Sequence, residues 1–220
     1  MVNYIFKENA EKDLQIGKLV CLARTYKKHA EEMNTKTTEK PLLFLKPSTS
    51  VIFDGESIVV PSISKSVHHE VELCVVIGKH CKNASKKDAM KHVLGYCLGL
   101  DITARDIQSI AKKNGWPWGI PKGFDTFAPI SSVVLKERIL DPHSLEISLK
   151  VNGEVRQSSS TKYMIFTIAE IIEFISSVMT LEPGDLIMTG TPEGVKEIKS
   201  GDVLEAKLGS VCSLTVDVRV

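Results

Sequence analysis

The sequence predicts a mixed, mostly antiparallel α+β domain, because its predicted strands outnumber its helices and come in hairpins. One hairpin is predicted where strand Leu145–Val151 is followed by Asn152-Gly153 and strand Glu154–Gln157, since Asn-Gly favours a tight type I′ turn. Downstream, the segment from Thr167 to Glu170 predicts a capping box, in which hydroxyl and carboxylate each satisfy a free backbone N–H. The apolar residues after it recur at helical spacing, which predicts an amphipathic helix.

The remaining elements follow from short apolar runs bounded by turn residues. Residues 1–17 are an N-terminal segment, residues 34–40 are polar and loop-like, and a length of 220 residues predicts one domain spanning 1–220. Further helices are predicted at Tyr26–Met33 and Ala104–Lys113. Further strands are predicted at Lys18–Ala23, Leu42–Lys46, Ser57–Val60, Glu70–Gly78, Tyr96–Asp101, Val203–Lys207 and Val211–Val220.

Composition and charge exclude several classes of function. The chain has 28 Lys and Arg against 27 Asp and Glu, so it lacks the basic surplus of a nucleic-acid binder, and no nucleic-acid partner is expected. Its five cysteines have no CxxC spacing, which favours free thiols in a reducing compartment. No apolar run reaches the roughly 18 residues that span a bilayer, and the N-terminus does not resemble a signal peptide. A cytoplasmic protein without a membrane partner is therefore expected.

Three carboxylates are the strongest candidates for a functional site. Alternate side chains of a strand share a face, so Glu70 and Glu72 point the same way and cannot both be buried and ionised without a counter-charge. Asp101 ends a later apolar strand. Three carboxylates with positions open to water and substrate match the preference of Mg²⁺ or Mn²⁺. The residues alone favour a plainer alternative, in which Glu70 and Glu72 lie on the wet face of a half-exposed strand.

Longer motifs decide between these alternatives. The pair Glu70-x-Glu72, followed 29 residues beyond Glu72 by Asp101 and then by Thr103-Ala104-Arg105-Asp106, is similar to the signature of the fumarylacetoacetate hydrolase family. The length resembles that family's short acylpyruvase and oxaloacetate decarboxylase branch. Segments that resemble the family, in its order, are Leu43–Ser48, His68–Leu73, Leu100–Gln108, Lys122–Asp125, Val151–Gln157 and Thr189–Val195.

The resemblance implies a fold, a cofactor and a partner. The fold would be the family's β-roll with a few peripheral helices, assembled as a homodimer. Glu70, Glu72 and Asp101 would bind Mg²⁺ or Mn²⁺. A small 2-oxo acid substrate would chelate that metal through its carboxylate and the adjacent 2-oxo oxygen. A cation held in this way polarises the carbonyl and stabilises an enolate.

The resemblance also implies a mobile lid over about residues 25–40 that carries a catalytic dyad. His29 and Glu32 are three residues apart, which places them on one face of a helix. A carboxylate beside the imidazole favours the imidazolium and orients its proton, so the dyad would activate water. From the residues alone, an ordinary surface pair is the alternative. This chain has Thr25 where the family commonly has Asn, which removes any contact of that amide.

Further side chains are assigned to the substrate. Arg105 and Gln108, also three residues apart, would share a helix face and grip a carboxylate or oxo group. By resemblance, Lys122 would be catalytic, neutralising the charge that develops on an enolate. The resemblance adds three substrate-binding residues: Arg24, Lys46 and Thr191.

Three pairs of residues are interpreted as structural or as part of the surface. His68 and His69 are adjacent on a strand and face opposite ways, so at most one of them looks toward the metal. Trp116 and Trp118 are expected in a packed loop or a dimer contact, because no basic groove accompanies them for stacking nucleic-acid bases. The pair Lys112-Lys113 is interpreted as a solvated helix face.

Together these features favour a metal-dependent enzyme that cleaves a C–C bond in a small β-keto 2-oxo acid, by acylpyruvate hydrolysis or oxaloacetate decarboxylation. The alternative is a keto–enol tautomerase or isomerase of oxaloacetate or of hydroxymuconate-type diacids, using the same metal and dyad. A non-catalytic relative whose metal only holds the fold is a third possibility. The joint presence of His29, Glu32, Arg105, Gln108 and Lys122 argues against it.

Overall fold

The computed structural model describes residues 2–7 and 13–220, and the elements named below lie within those ranges. Its α-helices are α1 Lys27–Glu32, α2 Lys86–Ala89, α3 Arg105–Asn114, α4 Gly119–Lys122 and α5 Ile168–Val178. Its strands are β1 Leu19–Ala23, β2 Leu42–Lys46, β3 Val51–Phe53, β4 Ser57–Val59, β5 Val67–His68, β6 Val71–Ile77, β7 Val93–Leu100, β8 Thr103–Ala104, β9 Ala128–Ile130, β10 Val134–Leu135, β11 Glu146–Val151, β12 Glu154–Ser160, β13 Leu186–Met188, β14 Glu197–Ile198, β15 Val203–Leu208 and β16 Cys212–Arg219.

The largest sheet has eight strands and carries the predicted metal ligands. Its order is β2-β1-β13-β6-β7-β9-β3, with β10 paired to β7. Most neighbours are antiparallel, although β1–β13 and β3–β9 are parallel. Strand β6 is buried on both faces along its whole length, so apolar side chains pack against it from two sides. The sheet is curled, and the predicted mostly antiparallel α+β fold is confirmed.

A second sheet of five strands, in the order β12-β11-β15-β16-β4, packs across the core from the first. The turn between β11 and β12 has positive φ at Asn152 (52°) and Gly153 (80°), which is the type I′ geometry predicted from the Asn-Gly pair. Along β16, buried and exposed residues alternate strictly, as expected for a strand with one wet face. The third sheet has the order β14-β5-β8. Its middle strand, β5, directly precedes the acid-bearing strand β6 along the chain.

Helix α5 begins as predicted. The Thr167 hydroxyl accepts from the Glu170 backbone N–H, and the Glu170 carboxylate accepts from the Thr167 N–H. Its apolar residues Ile168, Ile171 and Ile172 are buried against the core. Helix α3 ends at Gly115, whose φ of 68° lies in the left-handed region that glycine tolerates. No helix in the described part of the chain is long and apolar enough to cross a membrane.

The predicted N-terminal segment lies partly outside the described residues. Within residues 2–7 and 13–17, the backbone folds back on itself through a bridge between Asn3 and Gln15. Tyr4 is buried and donates its hydroxyl to the carbonyl oxygen of Gly184 at 2.9 Å. This segment therefore packs beside the turn that precedes β13.

Candidate active site

The structure brings the three predicted carboxylates together. Strands β6 and β7 are antiparallel, with Val71 opposite Leu100, so Glu70 and Asp101 emerge side by side at the end of the pair. The Asp101 N–H donates to the Glu70 carbonyl oxygen at 2.8 Å. One carboxylate oxygen from each of Glu70, Glu72 and Asp101 lies within 4.8 Å of the others, and all three residues are buried. Glu70 and Glu72 are therefore not on a wet face.

Three cations balance this acid cluster. Lys122 Nζ lies 2.9 Å from Glu70 Oε2 and also pairs with Asp101 Oδ2. Arg105 pairs with the other oxygen of Glu70. Lys46 Nζ lies 2.9 Å from Asp101 Oδ1. Buried carboxylates need such partners, because removing a charge from water is costly unless another charge or a hydrogen bond compensates it.

The two glutamates differ in electrostatic environment. Burial acts to raise the pKa of Glu70, but attraction to Lys122 and Arg105 outweighs it and holds that pKa well below its usual value. Burial raises the pKa of Glu72 well above its usual value, and the charges of Asp101 and Glu70 raise it further. The Gly190 N–H, which donates to Glu72 Oε2 at 2.7 Å, opposes that rise. Among the described residues, Glu72 is thus the carboxylate of this cluster without an ion-pair partner.

The donor set fits a hard divalent cation. All three side chains offer carboxylate oxygens, which Mg²⁺ and Mn²⁺ prefer. Within the described residues, Asp101 Oδ1 is buried without a hydrogen-bond partner; Lys46 Nζ is near it but not aligned for a hydrogen bond. A buried oxygen left without a hydrogen bond is unusual, and a divalent cation bound at the cluster would give this one a further partner. A divalent cation here would also supply the counter-charge that Glu72 lacks.

A small cavity opens onto the cluster, with a volume of about 40 Å³. The cavity is therefore small in this structure, with room for water. The predicted site residues that line the cavity are Arg24, His29, Glu70, Glu72, Arg105, Gln108, Lys122 and Thr191.

The predicted dyad lies on helix α1, which covers the cavity. His29 is buried, and its Nδ1 lies 3.3 Å from Glu32 Oε2. The Glu32 carboxylate also accepts the Gly194 N–H, at 3.0 and 3.1 Å to its two oxygens. Before the helix, the Thr25 hydroxyl donates to the Thr189 carbonyl oxygen at 2.7 Å. Thr25, the departure from the family pattern, therefore makes a buried contact of its own.

The other predicted substrate residues differ in how they meet the cavity. Arg105 donates to Gln108 Oε1 at 2.7 Å, so the two share one helix face as predicted. Arg24 lines the cavity and has a φ of 61°, an uncommon backbone conformation for a non-glycine residue. Lys46 does not line the cavity: it is fully buried behind Asp101 and donates to the Ile102 carbonyl oxygen at 3.0 Å. Thr191 lines it, but its hydroxyl proton goes to the Val71 carbonyl oxygen at 2.8 Å.

His68 and His69 do not reach the acid cluster. His68 Nε2 lies 3.1 Å from the Ser66 hydroxyl, and burial, followed by the charge of Arg105, lowers the His68 pKa to about 4. His69 is fully buried, and its Nδ1 lies 3.0 Å from Gln157 Oε1. Gln157 ends the family-like segment Val151–Gln157, but nothing in its sequence neighbourhood indicates a role for it.

The cavity wall contains side chains that the sequence assigned elsewhere. Phe44 and Trp118 both line it, with ring centroids 5.7 Å apart. Lys112 also lines it and lies 5.2 Å from the Trp118 ring, so it is not simply part of a solvated helix face. Burial and the nearby charge of Arg105 lower the Lys112 pKa. These residues were missed because their contacts join α3, β2 and the loop before α4, which are distant in sequence.

Comparison with known proteins identifies the class to which this fold and site belong. The family model described as "Fumarylacetoacetate (FAA) hydrolase C-terminal" matches residues 18–219. The chain belongs to the fumarylacetoacetate hydrolase family, and the resemblance predicted from its motifs is confirmed. Members of this family are enzymes that depend on a divalent metal.

Among its relatives, the bovine protein named "Oxaloacetate tautomerase FAHD1, mitochondrial" is 47% identical over 200 residues, covering 91% of this chain and 90% of that protein. The structure of fumarylpyruvate hydrolase from Pseudomonas aeruginosa, in complex with Mn²⁺ and pyruvate, has a TM-score of 0.94 and 33% identity, covering 99% of this chain and 95% of that one. The structure of 2-hydroxyhepta-2,4-diene-1,7-dioate isomerase from Mycobacterium marinum has a TM-score of 0.83 and 38% identity, covering 94% and 76%.

Proposed function

We propose that this protein is a divalent-metal-dependent tautomerase that interconverts the keto and enol forms of a small 2-oxo diacid such as oxaloacetate. The observation that carries the proposal is the buried cluster of Glu70, Glu72 and Asp101 at the floor of a cavity roofed by His29. The bovine relative of 47% identity, named an oxaloacetate tautomerase, supports tautomerisation ahead of the C–C cleavage favoured by the sequence alone.

The charges around the cavity support a dianionic substrate. Arg24, Arg105 and Lys112 line it together with Lys122. The two acidic residues in the lining, Glu70 and Glu72, belong to the proposed metal cluster. Cations that converge on a cavity with low-dielectric walls attract anions and orient their carboxylates. One carboxylate and the 2-oxo oxygen would face the metal, and the second carboxylate would face these cations.

The residues of the chain divide the work of proton transfer. Mg²⁺ or Mn²⁺, held by Glu70, Glu72 and Asp101, would polarise the 2-oxo group. His29 would remove a proton from the adjacent carbon, with Glu32 stabilising the resulting imidazolium. The positive charge of Lys122 would stabilise the enolate oxygen, which becomes the enol when the His29 imidazolium gives up the proton taken from carbon. The lid would exclude bulk water during this exchange.

The second candidate is C–C cleavage of acylpyruvates or decarboxylation of oxaloacetate. It is supported by the solved fumarylpyruvate hydrolase, which binds Mn²⁺ and pyruvate and is 33% identical to this chain. Both reactions share the enolate with tautomerisation. In hydrolysis the His29–Glu32 dyad would deliver water to the acyl carbon, whereas in tautomerisation the same dyad would move a proton.

One experiment separates these reactions. Purified protein with Mn²⁺ is mixed with the enol form of oxaloacetate and, separately, with acetylpyruvate. Loss of the enol ultraviolet absorbance without pyruvate, abolished by chelation, is the expected result. Release of pyruvate from either compound at a comparable rate would favour cleavage or decarboxylation instead. If chelation leaves every rate unchanged, the metal-dependent proposal is wrong.

We also propose a homodimer, with the apolar face around strand β2 as its interface. Within the described residues, β2 is an edge strand; Leu45 on this strand is 47% exposed, and Trp116 and Ile120 near it are 59 and 65% exposed. Uncovered apolar edges recruit other strands, so soluble proteins usually cover them. Leu45→Lys should convert a dimer to a monomer in light scattering, and a monomeric wild-type protein would refute the proposal.

The cytoplasmic location stays a prediction, to be checked by cell fractionation.

A further inference from the structure

The side chain of Gln157 joins the acid cluster to the rest of the site. It extends from β12 and is 1% exposed. Its Oε1 accepts the Val71 N–H at 3.0 Å and lies 3.0 Å from His69 Nδ1. Its Nε2 donates to Thr191 Oγ1 at 2.9 Å and to the Pro192 carbonyl oxygen at 2.9 Å. A side-chain amide offers two acceptor and two donor positions, and here all four are used.

These contacts permit one orientation of the amide. With the group turned over, its NH₂ would face the Val71 N–H, and its oxygen would face the Pro192 carbonyl. Both contacts would be repulsive. Because an amide oxygen only accepts hydrogen bonds, His69 must donate from Nδ1. The partners of Gln157 therefore fix the orientation of its amide, and the amide in turn holds these partners in position.

On one side, Gln157 holds the backbone that carries Glu70. His69 and Val71 flank Glu70, and both bind the same amide oxygen. The carbonyl oxygen of Glu70 accepts from the Asp101 N–H at 2.8 Å. The position of two proposed metal ligands thus depends on a backbone segment that Gln157 clamps.

On the other side, Gln157 holds residues 189–194, which we call the anchor loop. The loop touches the acid cluster directly, because the Gly190 N–H donates to Glu72 Oε2 at 2.7 Å. It also binds the acid-bearing strand through Thr191, whose hydroxyl donates to the Val71 carbonyl oxygen at 2.8 Å. The third proposed metal ligand therefore depends on the same loop.

The anchor loop also holds both ends of the lid helix α1. Thr25, before the helix, donates its hydroxyl to the Thr189 carbonyl oxygen at 2.7 Å. Glu32, at the end of the helix, accepts the Gly194 N–H at 3.0 Å. Lid and acid cluster thus have contacts with one loop, and that loop is fastened to the core by Gln157.

We propose that Gln157 is a positioning residue that couples closure of the lid to binding of the metal, by holding the anchor loop against the acid cluster. The inference rests on the proposed function for the presence of the metal. Two events that stabilise the same arrangement of one loop favour each other, and the effect is reciprocal. Binding of a divalent cation should therefore close the lid. Releasing the anchor loop from Gln157 should abolish this effect.

Lid closure is measured by cleavage with trypsin at the bond between Lys36 and Thr37, scored by mass spectrometry. Lys36 is exposed in the polar segment after α1, and Lys40 is followed by Pro41, which blocks cleavage there. In the wild type, Mn²⁺ should slow this cleavage by about fivefold or more, the usual range for coupled sites. In Gln157→Leu the protection should vanish, and Mn²⁺ affinity should fall by about tenfold or more, as for other residues that orient metal ligands.

A matched control separates coupling from general loosening of the fold. Ser176 is fully buried on α5, accepts the Ala84 N–H at 3.0 Å and takes no part in the site. Ser176→Ala should lower the Tm but leave Mn²⁺ affinity and lid protection unchanged. If Gln157→Leu behaves like this control, Gln157 is only structural and the inference is overturned.

Two further outcomes are informative. Should Gln157→Leu fail to fold, Gln157→Glu tests the same point, since it keeps acceptors for His69 and Val71 but sets an oxygen against the Pro192 carbonyl. Loss of Mn²⁺ protection in that variant supports the coupling, and its retention overturns it. Because both measurements use Mn²⁺ and trypsin without substrate, a wild type that shows coupling but no turnover refutes the proposed function alone.

Discussion

The ammonium group of Lys46 lies 2.9 Å from Asp101 Oδ1, and both side chains are buried. Burial lowers the pKa of Lys46, and the charge of Asp101 opposes that change. The pair therefore explains the family-like Lys46 as a counter-charge beneath the acid cluster. The contact of Lys46 with substrate remains a prediction, and the buried position of Lys46 behind Asp101 argues against it.

Lys46→Met should destabilise the protein strongly, because it leaves Asp101 Oδ1 without its buried cation, although Lys122 still pairs with Oδ2. The expected loss in the free energy of unfolding is about 3–5 kcal/mol in metal-free protein. Mn²⁺ should recover part of it, since a cation at the cluster supplies charge near Asp101. Urea unfolding with and without Mn²⁺ measures both effects.

The control for Lys46 is Lys18→Met. Lys18 pairs with Asp185, but the Lys18 side chain is 32% exposed, so water replaces much of the lost interaction. This variant should lose less stability, and Mn²⁺ should recover none of that loss. Equal losses in the two variants would show that the buried Lys46–Asp101 pair contributes no more to stability than the partly exposed Lys18–Asp185 pair.

Glu32→Gln should abolish turnover while metal binding persists. Gln still accepts the Gly194 N–H, but it removes the negative charge that lies 3.3 Å from His29 Nδ1 and would orient the imidazole for proton transfer. Turnover should fall by about a hundredfold or more, with Mn²⁺ affinity within about twofold because Glu32 is outside the acid cluster. Glu31→Gln, exposed on the same helix, is the control and should change neither quantity. Unchanged turnover in Glu32→Gln would show that the dyad assignment is wrong.

Local patterns in the sequence predicted much of the fold. The strand Glu70–Gly78 was predicted where the structure has Val71–Ile77, and the helix Ala104–Lys113 where it has Arg105–Asn114. Several strands of two or three residues, such as Leu186–Met188, were missed, because so short a run shows no periodicity. They exist because neighbouring strands supply their hydrogen bonds.

In the site, too, contacts between residues close in sequence were predicted, and contacts between distant residues were not. Spacing on one helix predicted that Arg105 and Gln108 share a face, and the structure joins them at 2.7 Å. Gln157 gave no such signal, because its partners lie 86 and 34 residues away at Val71 and Thr191. A buried amide becomes recognisable as a clamp only when the elements around it are known.

Acid should remove the contribution of Glu170 to stability. Its hydrogen bonds with Lys86 and with the backbone and hydroxyl of Thr167 lower its pKa to about 2. A carboxylate whose pKa is lowered on folding stabilises the protein above its unfolded pKa, and this contribution is lost as the pH falls from about 4.5 to about 2. The pair with Lys86 is more than a third exposed, so solvent keeps it to about 0.2–1 kcal/mol.

This expectation is checked by urea unfolding of the wild type and Glu170→Gln at pH 7 and pH 3.5. Gln still accepts the Thr167 N–H, so the helix start is kept and only the charge is lost. The wild type should be more stable at pH 7, and the difference should shrink at pH 3.5. A difference that grows toward acid would contradict the sign of the effect.

Glu72→Gln should separate metal binding from stability. Among the described residues no ion pair reaches Glu72, whose carboxylate accepts the Gly190 N–H, a bond that Gln preserves. The stability of the metal-free protein should therefore change little. Mn²⁺ affinity should fall by about a hundredfold, because loss of a metal ligand should cost at least as much as loss of a residue that only orients one. Glu70→Gln is the comparison, because it breaks the pairs with Arg105 and Lys122 and should lose about 3 kcal/mol or more as well. Calorimetric titration with Mn²⁺ measures the affinity, and wild-type affinity in Glu72→Gln would mean that the cation is bound elsewhere.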